Sequence, residues 1–285
     1  MSSKGLAVRV SDSKHAIEEP IQWAFGAGDQ AVTFVSQLDE DSYLEHYFSY
    51  YSSSQSLGVT PGHQSQQAKA LPKALGVVYK TFDPDPKIMR CFRCHSTGQL
   101  SLGPKFDIRP GEPGVRCEAC HGPGSLHVAA ASRGEIEPAR KLIGSPRRLS
   151  AAELNRFCGE CHRQPAPAGV ATNWDDAWNT RHQPLYLSQS ACFRKSGGAL
   201  SCLTCHDPHL QLRRNDALYY NGRCATCHKT GVRIKALSPK PVCEVRTPAN
   251  CVGCHMPEVA PQAQLSFTNH WIGVYRDGVT LRPSR

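Results

Sequence analysis

One short pattern, Cys-x-x-Cys-His, occurs six times in this chain. The copies are Cys91-Cys94-His95, Cys117-Cys120-His121, Cys158-Cys161-His162, Cys202-Cys205-His206, Cys224-Cys227-His228 and Cys251-Cys254-His255. They take up 12 of the 14 cysteines, and with Cys and His each at about 5% of 285 residues, chance would give well under one copy. Zinc sites use the same residue types, but nothing in tetrahedral coordination asks for a histidine directly after every second cysteine. Disulfide frameworks need no fixed two-residue gap, and thioredoxin-like redox motifs do not recur six times in a chain. Iron–sulfur ligation would need four-cysteine runs that are missing. The pattern is the attachment signature of c-type heme, in which two thioethers fix the porphyrin edge and the adjacent histidine is the proximal iron ligand. The expected cofactor is therefore heme c, six copies, covalently attached.

That cofactor load changes how the composition is read. Apolar residues make up 40% of the chain, below the usual value of roughly 45–50%. The 23 glycines and 21 prolines leave few long regular stretches. Six porphyrins would supply the missing buried apolar mass. The formal charge of +9 also shifts, since ionised propionates would bring the filled protein to roughly +3 oxidised and −3 reduced. A nucleic-acid partner is therefore not expected. Heme is normally attached outside the cytoplasmic membrane, so a periplasmic or extracellular location is expected. Met1–Asp12 has no apolar signal core, and no apolar run is long enough to span a membrane.

Along the chain, residues 1–90 carry no motif and read as a distinct lead segment, with 91–285 as the hexaheme domain. Ala31–Leu38 and Tyr43–Tyr51 are rich in β-branched and aromatic residues and predict a hairpin or small sheet. Gly58–Leu75 reads as loop then short helix, Arg109–Arg116 as loop, and Ser125–Ala131 as a short helical piece. Ser150 is a candidate N-cap for Ala151–Cys158, with Glu153 at the capping-box position. Motif starts lie 26, 41, 44, 22 and 27 residues apart, so there is no strict repeat. The expected fold class is a multiheme cytochrome c with little regular secondary structure. Short helices would surround packed hemes, with β-strands confined to a small N-terminal segment.

Each six-coordinate iron needs a second axial ligand. Seven histidines lie outside the motifs: His15, His46, His63, His127, His182, His209 and His270, against only three methionines. His127 follows the turn-forming Gly122-Pro123-Gly124. His209 stands three residues after His206, too close to bracket the same heme, so it should reach a neighbour's iron. His270 sits in the aromatic stretch Phe267–Tyr275. His15, His46, His63 and His182 compete for the remaining places, six distal ligands being expected from the seven. Cys192 and Cys243, the two cysteines outside the motifs, are candidates for a disulfide.

The six motifs, with Cys120-His121-Gly122-Pro123-Gly124-Ser125-Leu126-His127 and Ser201-Cys202-Leu203-Thr204-Cys205-His206-Asp207-Pro208-His209, resemble the cytochrome c554-like multiheme family. Features are shared with the hydroxylamine oxidoreductase and pentaheme nitrite reductase lineage. The resemblance runs from Cys91 to Tyr275 and implies that His127, His209 and His270 are distal ligands. Ala24–Gly28 and Ser56–Gly62 look like the family's lead segment. Arg181-His182-Gln183-Pro184 departs from the family, where an aromatic is common. The function these residues support is electron transfer through a chain of mainly bis-histidine hemes, with no catalytic cluster evident. The expected partners are other redox proteins, chiefly cytochromes, with self-assembly or association with a membrane complex as further expectations. Two other readings stay open at this point: an oxidoreductase acting on a small nitrogen or sulfur compound, and a subunit of an extracellular cytochrome filament.

Overall fold

A computed structural model describes residues 5–26, 28–64, 70–163, 171–228 and 250–284. The chain divides into two compact units, Met1–Gly144 and Ser145–Arg285.

The first unit opens with an antiparallel hairpin, β1 (Ala7–Ser11) and β2 (Ala16–Pro20). A five-stranded antiparallel sheet follows, built from β3 (Trp23–Phe25), β4 (Ala31–Gln37), β5 (Ser42–Tyr51), β6 (Ser56–Val59) and β7 (Gly76–Lys80). The ten-residue β5 organises it. One edge of β5 pairs with β4, while the other takes β7 along its first half and β6 along its second. Gly76, at the start of β7, crosses so close to β5 that a Cβ there would overlap the Glu45 carbonyl and lie 2.9 Å from His46 Cα. Between β6 and β7 lies α1 (Leu71–Leu75).

One sheet face carries an aromatic core. Val35, Tyr43, Ile88, Phe92 and Ile108 are buried there, with Trp23, Phe25 and Tyr79 packed around them. Phe92 belongs to α2 (Lys87–Cys94), the helix holding the first motif. Its ring meets Trp23 and Phe25 edge-on, each at 5.1 Å between centroids. Such edge-to-face pairs add about 0.5–1.5 kcal/mol beyond burial. The sheet is thus the floor on which the first Cys-x-x-Cys-His sits.

Strands are not confined to the lead segment, which corrects the expected fold class. β8 (Ser96–Thr97) pairs with β11 (Glu112–Pro113), and β9 (Ser101–Leu102) with β10 (Ile108–Arg109). In the second unit β12 (Glu258–Gln262) pairs with β13 (Leu265–Thr268). The fold is mixed α/β with distributed sheet, not short helices around hemes with β-structure only at the N-terminus. Prolines and glycines hid these strands. Pro113 ends a two-residue strand before Gly114, which turns at φ 83°. Thr97 Oγ1 closes the same turn by donating to the Gly114 carbonyl and accepting from Arg116 N, both at 2.8 Å. Pro261 lies where the register of β12 shifts, a position that needs no ladder donor. The Arg109–Arg116 loop reading is corrected likewise, and β6 occupies part of the stretch read as loop after Gly58.

Helices of the first unit continue as α3 (Cys117–His121), α4 (Ser125–Ser132) and α5 (Ile136–Lys141). The second unit begins with α6 (Ala151–His162), closed by a capping box in which Ser150 N donates to Glu153 Oε2 at 2.8 Å. Then come α7 (Gln183–Gln189), α8 (Ala191–Lys195), α9 (Cys202–Cys205), α10 (Ala217–His228) and α11 (Cys251–His255). Leu154, Leu185, Tyr186 and Leu187 are buried, and Asn155 Nδ2 ties α6 to α7 by donating to the Pro184 carbonyl at 2.8 Å. Trp174 packs edge-on against both Tyr186 (5.2 Å) and Trp271 (5.0 Å).

Candidate functional site

Each motif lies on a helix or at its end. They close α6 and α10, make up α3 and α11, and end α2 and span α9 with His95 and His206 just beyond them. The spacing has a geometric reason. At 3.6 residues per turn, positions i, i+3 and i+4 share one helix face. Both thiols and the imidazole therefore present to the same side, where one planar group can meet all three.

The histidine hydrogen bonds show which ring nitrogen carries the proton. His121 Nδ1 lies 2.6 Å from the Gly144 carbonyl, and His255 Nδ1 2.8 Å from that of Gly273. His127 Nδ1 is 2.8 Å from the Ala139 carbonyl, and His270 Nδ1 2.9 Å from that of Thr268. A carbonyl only accepts, so each Nδ1 carries the proton and each Nε2 keeps its lone pair. A backbone carbonyl that orients the ring through its second nitrogen is the usual arrangement around a metal-ligating histidine.

His206 and His270 face one another with ring centroids 6.2 Å apart and planes inclined by 34°. Two imidazoles on opposite sides of one metal, each bound at about 2.0 Å, would stand roughly 6 Å apart. Burial, then the neighbouring His206 and His162, pull His270 down to about 4, against the Thr268 carbonyl, which favours the protonated ring. Its backbone is pinned from both sides. Ser190 Oγ donates to the His270 carbonyl at 3.0 Å and accepts from Ile272 N at 2.8 Å. The fully buried Asn269 donates to the Thr280 carbonyl at 2.8 Å and accepts from Trp271 N at 2.9 Å. Neither Ser190 nor Asn269 carries a sequence signal for this role, because both act through the backbone across long separations.

The other spare histidines sit differently. His46 is fully buried on the sheet, its Nε2 2.6 Å from Ser36 Oγ. Ser36 spends its hydroxyl proton on the Pro20 carbonyl, so His46 Nε2 must be the donor and its unpartnered, buried Nδ1 holds the lone pair. His63, also buried, meets Glu45 Oε2 through Nε2 at 3.0 Å and likewise leaves Nδ1 unpartnered. Glu45 also accepts from Tyr79 Oη at 3.2 Å. Burial first, then the Glu45 carboxylate, push the Cys91 thiol up to about 11. His182 Nε2 accepts from Arg163 Nη1 at 3.3 Å. Burial and two neighbouring arginines, Arg163 and Arg181, hold His182 down at about 4. His15 stands exposed 3.8 Å from Asp12, and exposed His209 contacts Asp207 Oδ1 at 3.2 Å.

Thiols of successive motifs approach each other in the second unit. Cys158 contacts Cys202, and that hydrogen bond, then burial, raise the Cys202 thiol well above its ordinary range. Cys224 contacts Cys251, and Cys205 lies beside Cys227. The third to sixth motifs thus form a continuous series. Cys192 is a partly buried free thiol next to Cys205 and Cys227. Its expected partner Cys243 lies outside the described residues.

Exposed apolar side chains gather near the motifs. Val115, Leu126 and Val128 flank the exposed Cys117 and Cys120, and Leu210 and Leu218 lie between the fourth and fifth motifs. Covering one such side chain contributes about 1.5–3 kcal/mol, so a porphyrin fits this surface. Among the described residues no three His, Cys, Asp or Glu side chains converge as a structural zinc site would require. The donor set fits heme c: paired thiols with an adjacent imidazole, and second imidazoles with a free nitrogen.

The family described as cytochrome c554 and c-prime matches residues 48–122, which hold the first two motifs, a shorter span starting earlier than the Cys91–Tyr275 resemblance. The chain is 27% identical over 178 residues to the multiheme cytochrome MtrA of Shewanella baltica (strain OS185), covering 59% of this chain and 45% of that protein. The chain is related to multiheme c-type cytochromes. It therefore spans under half the length of this curated relative. The crystal structure of the outer cell wall cytochrome OcwA superposes with a TM-score of 0.46 and 16% identity, over 87% of this chain and 66% of that one. No helix among the described residues is long and apolar enough to cross a membrane.

Proposed function

We propose that this protein is a hexaheme c-type cytochrome that carries electrons through mainly bis-histidine hemes. The observation that carries the reading is the His206–His270 pair, whose 6.2 Å separation suits two axial ligands of one iron. Bound heme supplies a reversible one-electron couple. The chain's own contribution is to anchor and orient it. Helical Cys-x-x-Cys-His faces offer the thiols, and carbonyls hold the His127, His255 and His270 rings through Nδ1, leaving each Nε2 its lone pair. Imidazoles offered from both sides would leave a bound heme no position open to substrate, which favours a carrier over an enzyme. Thiol contacts linking the third to sixth motifs support closely spaced hemes in that order. Axial candidates for the remaining places are His15, His46, His63, His182 and His209. The covalent attachment of heme supports an extracytoplasmic location, and the similarity to a multiheme cytochrome supports redox partners among other cytochromes.

Intact mass of the denatured holoprotein, with electron paramagnetic resonance of the oxidised form, tests the reading. Six heme masses and low-spin bis-imidazole signals are expected. Four or fewer hemes, or a dominant high-spin signal, would overturn it.

A further inference from the structure

Beside the third motif, Arg181 and Arg163 bring two guanidiniums close to His182. Arg181 ends the turn Ala177–Arg181, and its guanidinium lies over the Trp178 ring at 5.5 Å. Its Nε is buried and has no hydrogen-bond partner among the described residues. Arg163, directly after His162, is near enough for its charge to act on Arg181, and its Nη1 reaches His182, the residue after Arg181. Among the described residues no carboxylate forms an ion pair with Arg181. Asp176, the acid whose charge reaches it, is already the acceptor for Trp178 N at 2.9 Å. A half-buried guanidinium with a buried, unused N–H is a costly arrangement unless an anion completes it. Guanidinium forks match the two oxygens of a carboxylate, which accepts two parallel hydrogen bonds.

We propose that Arg181 and Arg163 form a carboxylate clamp beside the third motif, and that its ligand is a propionate of the heme attached at Cys158 and Cys161. This rests on the reading that the third motif carries heme. His162, the proximal candidate of that motif, directly precedes Arg163, so one edge of the clamp is tied in sequence to the heme it holds. The clamp stabilises the reduced heme, because a nearby cation favours the state with one more negative charge. A free small carboxylate or oxyanion has the same chemistry, and the test separates the two sources.

The full-length holoprotein is compared with Arg181→Gln, Arg181→Lys and Arg163→Gln. Mass of the proteolytic peptide holding Cys158–His162 comes first, and a bare peptide overturns the heme reading and the clamp together. With heme present, Arg181→Gln is expected to lower one midpoint potential by about tenfold in its reduction equilibrium, about 59 mV for a one-electron couple. Arg181→Lys should restore most of the shift, and Arg163→Gln should lower the same heme. Unchanged potentials in both glutamine variants would overturn the clamp alone. Acetate and nitrite are then titrated into the unmodified protein. Potentials that ignore both support the propionate, whereas a saturable shift abolished by Arg181→Gln would assign the site to a free anion and overturn the propionate. If Arg181→Gln fails to mature, Arg163→Gln reports on the same heme and decides.

Discussion

His270 is held through both its backbone and its ring, and the grip on the backbone is indirect. Ser190 and Asn269 fix its backbone, while the Thr268 carbonyl fixes its ring. Replacing His270 with Ala should leave six covalent hemes but convert one low-spin iron to high-spin, read by electron paramagnetic resonance. Ser190→Ala should keep the ligand and cost about 1 kcal/mol for each of the two hydrogen bonds lost, seen as a lower melting temperature. The pH response follows from the same burial. In the folded chain His270 and His182 are held near 4, below the ordinary 6.5. Between those values the unfolded chain binds more protons than the folded one, so stability falls as pH drops from about 6.5 towards 4. A melting temperature that falls as pH drops through that window is the expected outcome, and a flat response would contradict it. The sequence named His270 as a candidate through its aromatic neighbours, but Ser190, 80 residues away, had no local signal to betray it.

At the level of elements, helix starts were the most readable feature. Ser150 and Glu153 form the capping box expected of them, although α6 runs on to include the whole third motif. Local hydrogen bonds within three residues depend only on neighbours in the chain, which is why the eye can find them. Ser150→Ala should cost about 1 kcal/mol and lower the melting temperature by a few degrees, with attachment at Cys158 and Cys161 intact by peptide mass. Short strands were illegible for the opposite reason. The pairs Ser96–Thr97 with Glu112–Pro113 and Ile108–Arg109 with Ser101–Leu102 are too brief to show alternation. They are made by their partners. Gly76 shows the same dependence, since only its approach to Glu45 and His46 on β5 demands a residue without Cβ. Gly76→Ala should therefore disrupt β7 pairing and lower stability by several kcal/mol, as overlap with backbone cannot be relieved by a side-chain shift. Circular dichroism and thermal melting would register it, and a wild-type melt would refute the close approach.

For the molecule as a whole, charge and cofactor have to be considered together. The chain's +9 would be nearly cancelled by six hemes and would change sign on reduction. Cation-exchange retention at pH 7 should accordingly weaken when the protein is reduced, and equal retention in both states would argue against a full heme complement. The chain by itself determined the attachment chemistry, because thiol, thiol and imidazole at i, i+3 and i+4 form one helix face wherever that helix lies. It also determined the excess of histidine over methionine, and with it the class of axial ligand on offer. Only the tertiary structure decided that the first motif rests on an aromatic-faced five-stranded sheet, that further hairpins are spread along the chain, and that His206 meets His270. Those facts depend on contacts between residues far apart in sequence, where the balance of burial, backbone pairing and unsatisfied polar groups is set by partners that no local pattern names.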